Sequence, residues 1–350
     1  MTDKIFCMSS YLAFRYIEKD NVDFYEGLNH KNIAKMDEKD KIKVANAEEI
    51  DTAIRESFEK LKGKKLGLML SGGMDSACLA SYMRGMDAYT FRFLGGNFGQ
   101  EETKRAQRFA EYYGMNLHFV DIDWNSITKC VDAVIKAKGA PVHSIEPQLY
   151  QAALQAKDDG VECLIVGESA DLVFGGMDQL LSQDWQLEDF KKRYIFTQPE
   201  DVLVQSEDVS YLFERYRKGE KIDFLSFMDD VFSIESSSSY WNAFAAAEMD
   251  YFDPYGRLKM AFDLDLNRVR NGDSKYLIRD LFRKKYPDLP VPEKVPMPRP
   301  VDYYFKDWKG PDRPEFRTDI PYEKLTGNQK WQLWCLEYFL NMYEPLGDKN

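Results

Sequence analysis

A chain of 350 residues that is 44% hydrophobic and 14% aromatic can bury a large core, which excludes a disordered or fibrous protein and fits one large domain or two modest ones. Its 47 basic and 59 acidic side chains leave a formal charge of -12, which argues against nucleic acid as a partner, since a broad grip on phosphate needs clustered Lys and Arg. No segment reaches the ~20 apolar residues of a membrane span, and the start MTDKIFCMSSYLAF has no basic stretch leading into a long apolar one, so the expected location is cytoplasmic, with no membrane contact.

From Met1 to about Asn46 charged and aromatic residues mix without a clear period; Ile50, Ile54, Phe58 and Leu61 then share one face of a helix over residues 47–61. Residues 1–60 read as an N-terminal cap and lead-in helix. Over residues 61–180 short apolar runs alternate with helical patterns: LGLML, a helix from Asp75, YTFRF, a helix over EETKRAQRFAEYYG, LHFVDI, another helix to Lys157, then VECLIV. That alternation predicts a parallel sheet flanked by helices on both faces. Beyond about Leu180 come long, aromatic-rich, helix-like segments and the Pro-rich YPDLPVPEKVPMPRPVDYYF. In the final GNQKWQLWCLEYFLNMY, residues Trp331, Trp334, Cys335, Tyr338, Phe339 and Met342 keep helical spacing and predict a packed C-terminal helix. Cys7, Cys78, Cys130, Cys163 and Cys335 are odd in number and far apart, so reduced, mostly buried thiols are expected.

The chemistry is concentrated in LSGGMDSACLA. A strand that runs into Ser71-Gly72-Gly73 must turn sharply, and two glycines permit backbone shapes and close approaches that a side chain would block. The helix that follows turns its free N–H groups toward the turn, an arrangement suited to phosphate, with Ser71 and Ser76 as added hydroxyl donors. A carboxylate at Asp75 repels phosphate, so its use there is to hold a magnesium ion that bridges phosphate oxygens. An ordinary helix start capped by Ser71 or Asp75 would draw on the same residue types. The loop of kinases and GTPases is excluded, because no Lys follows the glycines. A second strand meets VGESADLVFGG, and since strand ends in a parallel sheet face one crevice, Glu168 and Asp171 are expected opposite Asp75.

SGGMDS resembles the pyrophosphate loop, Ser-Gly-Gly-x-Asp-Ser, of enzymes that split ATP into AMP and pyrophosphate, among them NAD synthetase, GMP synthetase, argininosuccinate synthetase, tRNA thiolation enzymes and asparagine synthetase. Gly167, Glu168, Asp171, Phe174 and Gly176 resemble the Gly-Glu-Gly-x-Asp-Glu-x-Phe-x-Gly motif of the asparagine synthetase synthetase domain. SSSSYWNAFAAAEMDYFDPYG looks like that family's helix ending in Glu-x-Arg-x-Pro-Phe-Leu-Asp, and KYLIR like its Lys-x-x-Leu-Arg. The likeness runs from about Ala47 to Trp308. It implies an α/β fold of the adenine-nucleotide α-hydrolase-like (PP-loop) kind, with an ATP pyrophosphatase core over residues 61–180 and a helical, substrate-side part over 181–350. It implies ATP and Mg2+ as cofactors. Leu70, Ser71, Gly72, Gly73, Asp75, Ser76, Phe91 and Gly167 would surround the nucleotide, and Asp75 and Asp171 would bind the metal. Glu168 would sit near the acyl-adenylate, and Lys294 would steady the leaving pyrophosphate, with Lys275 and Arg299 as competitors.

The reaction implied is the adenylation of a small-molecule carboxylate and transfer of its acyl group to ammonia, free in solution or from a separate glutaminase subunit. Stand-alone chains of this kind occur in surface-polysaccharide pathways, which brings forward a sugar uronic acid as acceptor. Asparagine synthetases begin with a glutaminase whose cysteine follows the initiator Met; here Thr2 follows it, the first cysteine is Cys7, and no room for that domain precedes residue 47. Ser169 and Leu172 replace the family's Gly and Glu, and Asp250 stands where an Arg is usual, which speaks against aspartate. An intramolecular cyclase of the β-lactam synthetase type and a non-catalytic nucleotide-binding relative stay open as alternatives, whereas a thiolation enzyme would need a basic face and cysteine pairs. His30, His118 and His143 are too separated for a metal trio; His118 is expected in the core and His143 is a candidate substrate contact.

Overall fold

The computed structural model describes residues 1–95, 98–294 and 299–345. Among them run nine strands: β1 (Ile42–Val44), β2 (Leu66–Met69), β3 (Asp87–Phe93), β4 (Asn116–Ile122), β5 (Cys163–Ile165), β6 (Arg217–Lys218), β7 (Lys221–Ile222), β8 (Asp250–Phe252) and β9 (Leu258–Met260). Five form one parallel sheet in the order β4-β3-β2-β5-β8, with Leu68 opposite Ala88 on one side and Ile165 on the other.

Alternate side chains of these strands enter two separate cores, as a sheet covered on both faces requires. Leu66, Leu68, Ala88, Cys163 and Ile165 pack with the helices Ala47–Glu59, Met74–Ala80, Gln100–Tyr112 and Tyr276–Lys285. Tyr89, Phe93, Val120, Ile122 and Leu164 face the helices Trp124–Lys138, Glu146–Asp158 and Ser233–Ala246, and the same core takes in Lys4–Phe14 and Gly327–Tyr343. The path β2-β3-β4 steps outward in one direction and β5 returns to the other side of β2, so the strand order reverses between β2 and β5. That reversal opens a crevice at their carboxyl ends, where Ser71 and Gly167-Glu168 follow.

The single helix expected to end at Lys157 is two. Gly139 ends the first in the left-handed region (φ 71), its N–H bonded to Ile135 O, and Pro147 opens the second. Residues 1–46, read as lacking a period, contain the helix Lys4–Phe14, capped by Asp3 and buried from Phe6 to Phe14; a helix covered all round has no polar stripe to betray it. Several of the long helices expected after Leu180 are single turns, such as Pro199–Val202 and Tyr211–Glu214, whereas Leu187–Tyr194, Ser233–Ala246 and Tyr276–Lys285 run longer. His118 is corrected as well. It lies on β4 at the sheet edge, a third exposed, stacked on Tyr89 at 4.9 Å with Nε2 3.0 Å from Asp87 Oδ1. The C-terminal helix is present as expected, with a Thr326–Gln329 capping box. All five cysteines are free, and all but Cys130 are buried.

Candidate active site

A cleft of about 480 Å³ opens at this crevice. Leu70, Ser71, Gly73, Asp75, Ser76, Phe91, Gly167, Glu168, Asp171, Lys275 and Lys294 all line it. The turn after β2 is tied to itself: the Ser71 N–H donates to Ser76 Oγ (3.0 Å), the two hydroxyls lie 3.0 Å apart, and the Gly73 N–H donates to Ser71 Oγ (3.1 Å). With seven residues the helix Met74–Ala80 offers free N–H groups more than a long macrodipole. Gly167 brings the end of β5 to within about a van der Waals contact of the Asp75 backbone; a Cβ there would sit 3.4 Å from Asp75 C and 3.3 Å from the Tyr255 ring.

Gly72 points the other way. A Cβ on it would lie 2.6 Å from Glu102 O, and its N–H is taken by the Glu102 carboxylate. Burial pushes the Glu102 pKa up to about 7, and its Oε2 is buried without a partner among the described residues.

The acidic pair is bridged by a cation. Lys275 Nζ stands 2.6 Å from Asp75 Oδ2 and 2.6 Å from Asp171 Oδ1. Lys294 Nζ is 3.1 Å from Asp171 Oδ1 and also donates to Gly176 O. Lys275 adopts φ 51 where the helix Tyr276–Lys285 begins, a left-handed conformation that costs a non-glycine residue roughly 1–2 kcal/mol. Burial opposes its charge, but Asp75 and Asp171 outweigh burial and raise its pKa above the lysine range. For Asp171 burial is outweighed by Lys275 and Lys294, and its pKa falls; Asp75 is raised by burial against the pull of Lys275, with Asp171 adding to the rise. Asp75 Oδ1 is buried and unpartnered among the described residues. Two carboxylates with one oxygen in reserve suit magnesium, which takes one or two carboxylates and fills its shell from phosphate and water. A cage of three or more His, Cys, Asp or Glu is absent among the described residues.

Glu168 is held by hydroxyls. Its Oε1 accepts from Ser236, and its Oε2 from Ser169 (3.1 Å) and Ser237 (3.3 Å). Burial first, then the charge of Asp253, push its pKa up to about 7. Asp253 follows β8 and accepts from Ser169 N (2.8 Å) and Tyr255 N (3.0 Å). Sequence reasoning missed the roles of Asp253, Ser236 and Ser237: the run Ser236 to Ser239 was visible and likened to a helix, but its meeting with Glu168 was not.

The same cleft is also lined by Arg15, His143, Glu235 and Arg299. Arg15 grips Glu235 with two bonds (2.9 and 3.2 Å), donates to Tyr194 O (3.1 Å), and lies over the Tyr194 and Phe196 rings at 4.7 and 4.6 Å. Arg299 Nη1 is 3.0 Å from His143 Nε2. Of the three cations weighed for pyrophosphate, the fold therefore gathers Lys275 and Lys294 at the acidic pair and sets Arg299 against His143.

A family model described as asparagine synthase matches residues 49–244. No curated protein matches the chain. Among solved structures, an NH3-dependent NAD synthetase from Campylobacter jejuni subsp. jejuni shares 16% identity over 37% of this chain and 58% of that one, with a TM-score of 0.25. An NMN synthetase from Francisella tularensis shares 12% over 63% and 97%, at a TM-score of 0.27. A U34-tRNA thiolase from Methanococcus maripaludis shares 14% over 71% and 82%, at 0.28. The chain thus spans little more than half of the Campylobacter protein.

Proposed function

Because the chain belongs to the asparagine synthase family, whose match spans residues 49–244, we propose that it is an ATP-dependent ligase that adenylates a carboxylate and transfers the acyl group to ammonia. The observation that carries this reading is the Lys275 bridge between Asp75 and Asp171 on the same cleft as Glu168. A carboxylate is a poor electrophile, and joining it to AMP gives it a good leaving group. In the first step a carboxylate oxygen bonds to the α-phosphorus of ATP while the bond from that phosphorus to the bridging oxygen breaks, releasing pyrophosphate. Lys275 and Lys294, placed by the acidic pair, supply fixed positive charge where the leaving group gains negative charge. Asp75 and Asp171 would hold magnesium, which when bound neutralises phosphate oxygens.

In the second step ammonia attacks the acyl carbon and AMP departs, and the nitrogen must lose a proton. A carboxyl with a pKa near 7 is matched to that task at neutral pH, which supports Glu168 as the acceptor of that proton. The acceptor we take to be a small carboxylate, a sugar uronic acid of surface polysaccharide synthesis in the first instance, with ammonia from solution or from a separate glutaminase subunit, in the cytoplasm.

The test incubates the protein with ATP, magnesium, ammonium and a panel of carboxylates including sugar uronates and aspartate. Expected are AMP and carboxylate-dependent pyrophosphate, reduced at least ~100-fold in Asp75→Ala, a loss typical of removing a group that stabilises transition-state charge. ADP and phosphate instead would refute the adenylation, and pyrophosphate release that needs no ammonia would turn the reading toward a cyclase acting on an internal amine.

A further inference from the structure

The cluster of Arg15, His143, Glu235 and Arg299 has a charge left over. Arg15 and Glu235 cancel each other in a buried bidentate pair with side chains 5% and 8% exposed. His143 is neutral, because burial, and then the nearby Arg299, hold its pKa well below the histidine range. Its Nε2 can then accept from Arg299, leaving the other N–H groups of a guanidinium that has five. No salt bridge to Arg299 occurs among the described residues, and burial lowers its pKa, with Arg15 adding to the fall against the pull of Glu235. An arginine does not shed its proton in a protein, so among the described residues the cleft wall keeps one partly buried positive charge with no carboxylate in ion-pair contact, which is costly unless an anion arrives to meet it.

The partners of this charge distinguish it from the cations of the acidic pair. Glu168 accepts from Ser236, and the preceding residue, Glu235, anchors Arg15. Arg299 lines the same cleft bonded to His143, whereas Lys275 and Lys294 are both committed to the acidic pair. We propose that Arg299, oriented by His143, binds a second anionic group of the acceptor, a carboxylate or a phosphate, so that the substrate is a carboxylate carrying at least one further negative charge. This rests on the adenylating reading only for the fate of the first carboxylate.

The experiment uses matched pairs that differ by one anionic group: succinate with monomethyl succinate, and glucuronic acid 1-phosphate with glucuronic acid. Each is titrated calorimetrically into the full chain and assayed for pyrophosphate release with ATP, magnesium and ammonium. Binding of at least one dianion is expected, ten-fold or more tighter than its partner, and which pair responds tells carboxylate from phosphate. Arg299→Gln should abolish that preference while leaving the KM for ATP unchanged; Arg299→Lys, which keeps the charge but not the planar fork, should keep part of it, and circular dichroism checks that both variants fold. Failure of every dianion to bind, equal binding within each pair, or a raised KM for ATP in Arg299→Gln would each overturn the subsite. Dianion binding without pyrophosphate release would uphold the subsite and defeat the ligase; release without dianion preference would do the reverse.

Discussion

Single side chains in this protein are tuned by what buries them. Glu102 and Glu168 both reach a pKa of about 7 from an ordinary 4.5 because burial penalises their charge. A carboxyl whose pKa rises on folding binds its proton more tightly in the native state, so its penalty is absent at acid pH, grows as pH climbs from about 4.5 to about 7, and stays constant above that. For Glu102 the penalty is on the order of 1–3 kcal/mol. Glu102→Gln, which retains an acceptor for the Gly72 N–H, should therefore raise the melting temperature by a few degrees at about pH 8 and by much less at about pH 4, as read by differential scanning calorimetry. An equal gain at both pH values would show that charge burial is not the cause. At this scale the sequence was informative wherever chemistry is local. Asp75 lies four residues beyond Ser71, and Glu168 and Asp171 share one turn, so their meeting needed only a parallel sheet. Arg15 and Arg299 reach the same cleft from distant segments, and Asp253 backs Glu168 from a third; no local pattern encodes that.

Elements meet where glycine lets them. Gly139, at φ 71, carries the chain out of the helix Trp124–Lys138, and a Cβ there would sit 2.4 Å from Asn29 O and 2.9 Å from Asn29 C. Gly160 has a similar φ of 80, with its nearest such atom, Lys65 Nζ, 3.9 Å away. Both substitutions to alanine pay roughly 1–2 kcal/mol for the left-handed backbone, but only Gly139→Ala forces backbone apart. Urea denaturation should place Gly139→Ala about 3 kcal/mol or more below the wild type and Gly160→Ala near 1 kcal/mol; equal losses would defeat the crowding argument. The four strands β2 to β5 were legible because each is an apolar run between helical patterns. β8 was not, since Asp250, Tyr251 and Phe252 lie between charged residues rather than in an apolar run, and its strand character comes from pairing with β5. The break at Gly139 went unread because the residues beyond it resume an apolar helical pattern.

The whole molecule joins its two ends around one core. Gln332 Nε2 donates to Leu12 O (3.1 Å), while Tyr11 and Trp331 both donate to Val142 O, at 3.1 and 2.9 Å. A chain stopped before Gly327 should then expose the apolar surface of Lys4–Phe14, bind a hydrophobic dye and sediment as aggregate, while the full chain stays in the supernatant; a monodisperse fragment would contradict the picture. During synthesis the same geometry imposes a delay. The helix Lys4–Phe14 leaves the ribosome more than 300 residues ahead of its partner Gly327–Tyr343, and at ~5–20 residues per second that interval lasts roughly 15–60 s. Tyr194 and Phe213, which meet Phe14, are made earlier, but for that time the face of the nine buried residues that meets Gly327–Tyr343 stays uncovered, so a nascent chain carries an open apolar surface until its last helix arrives.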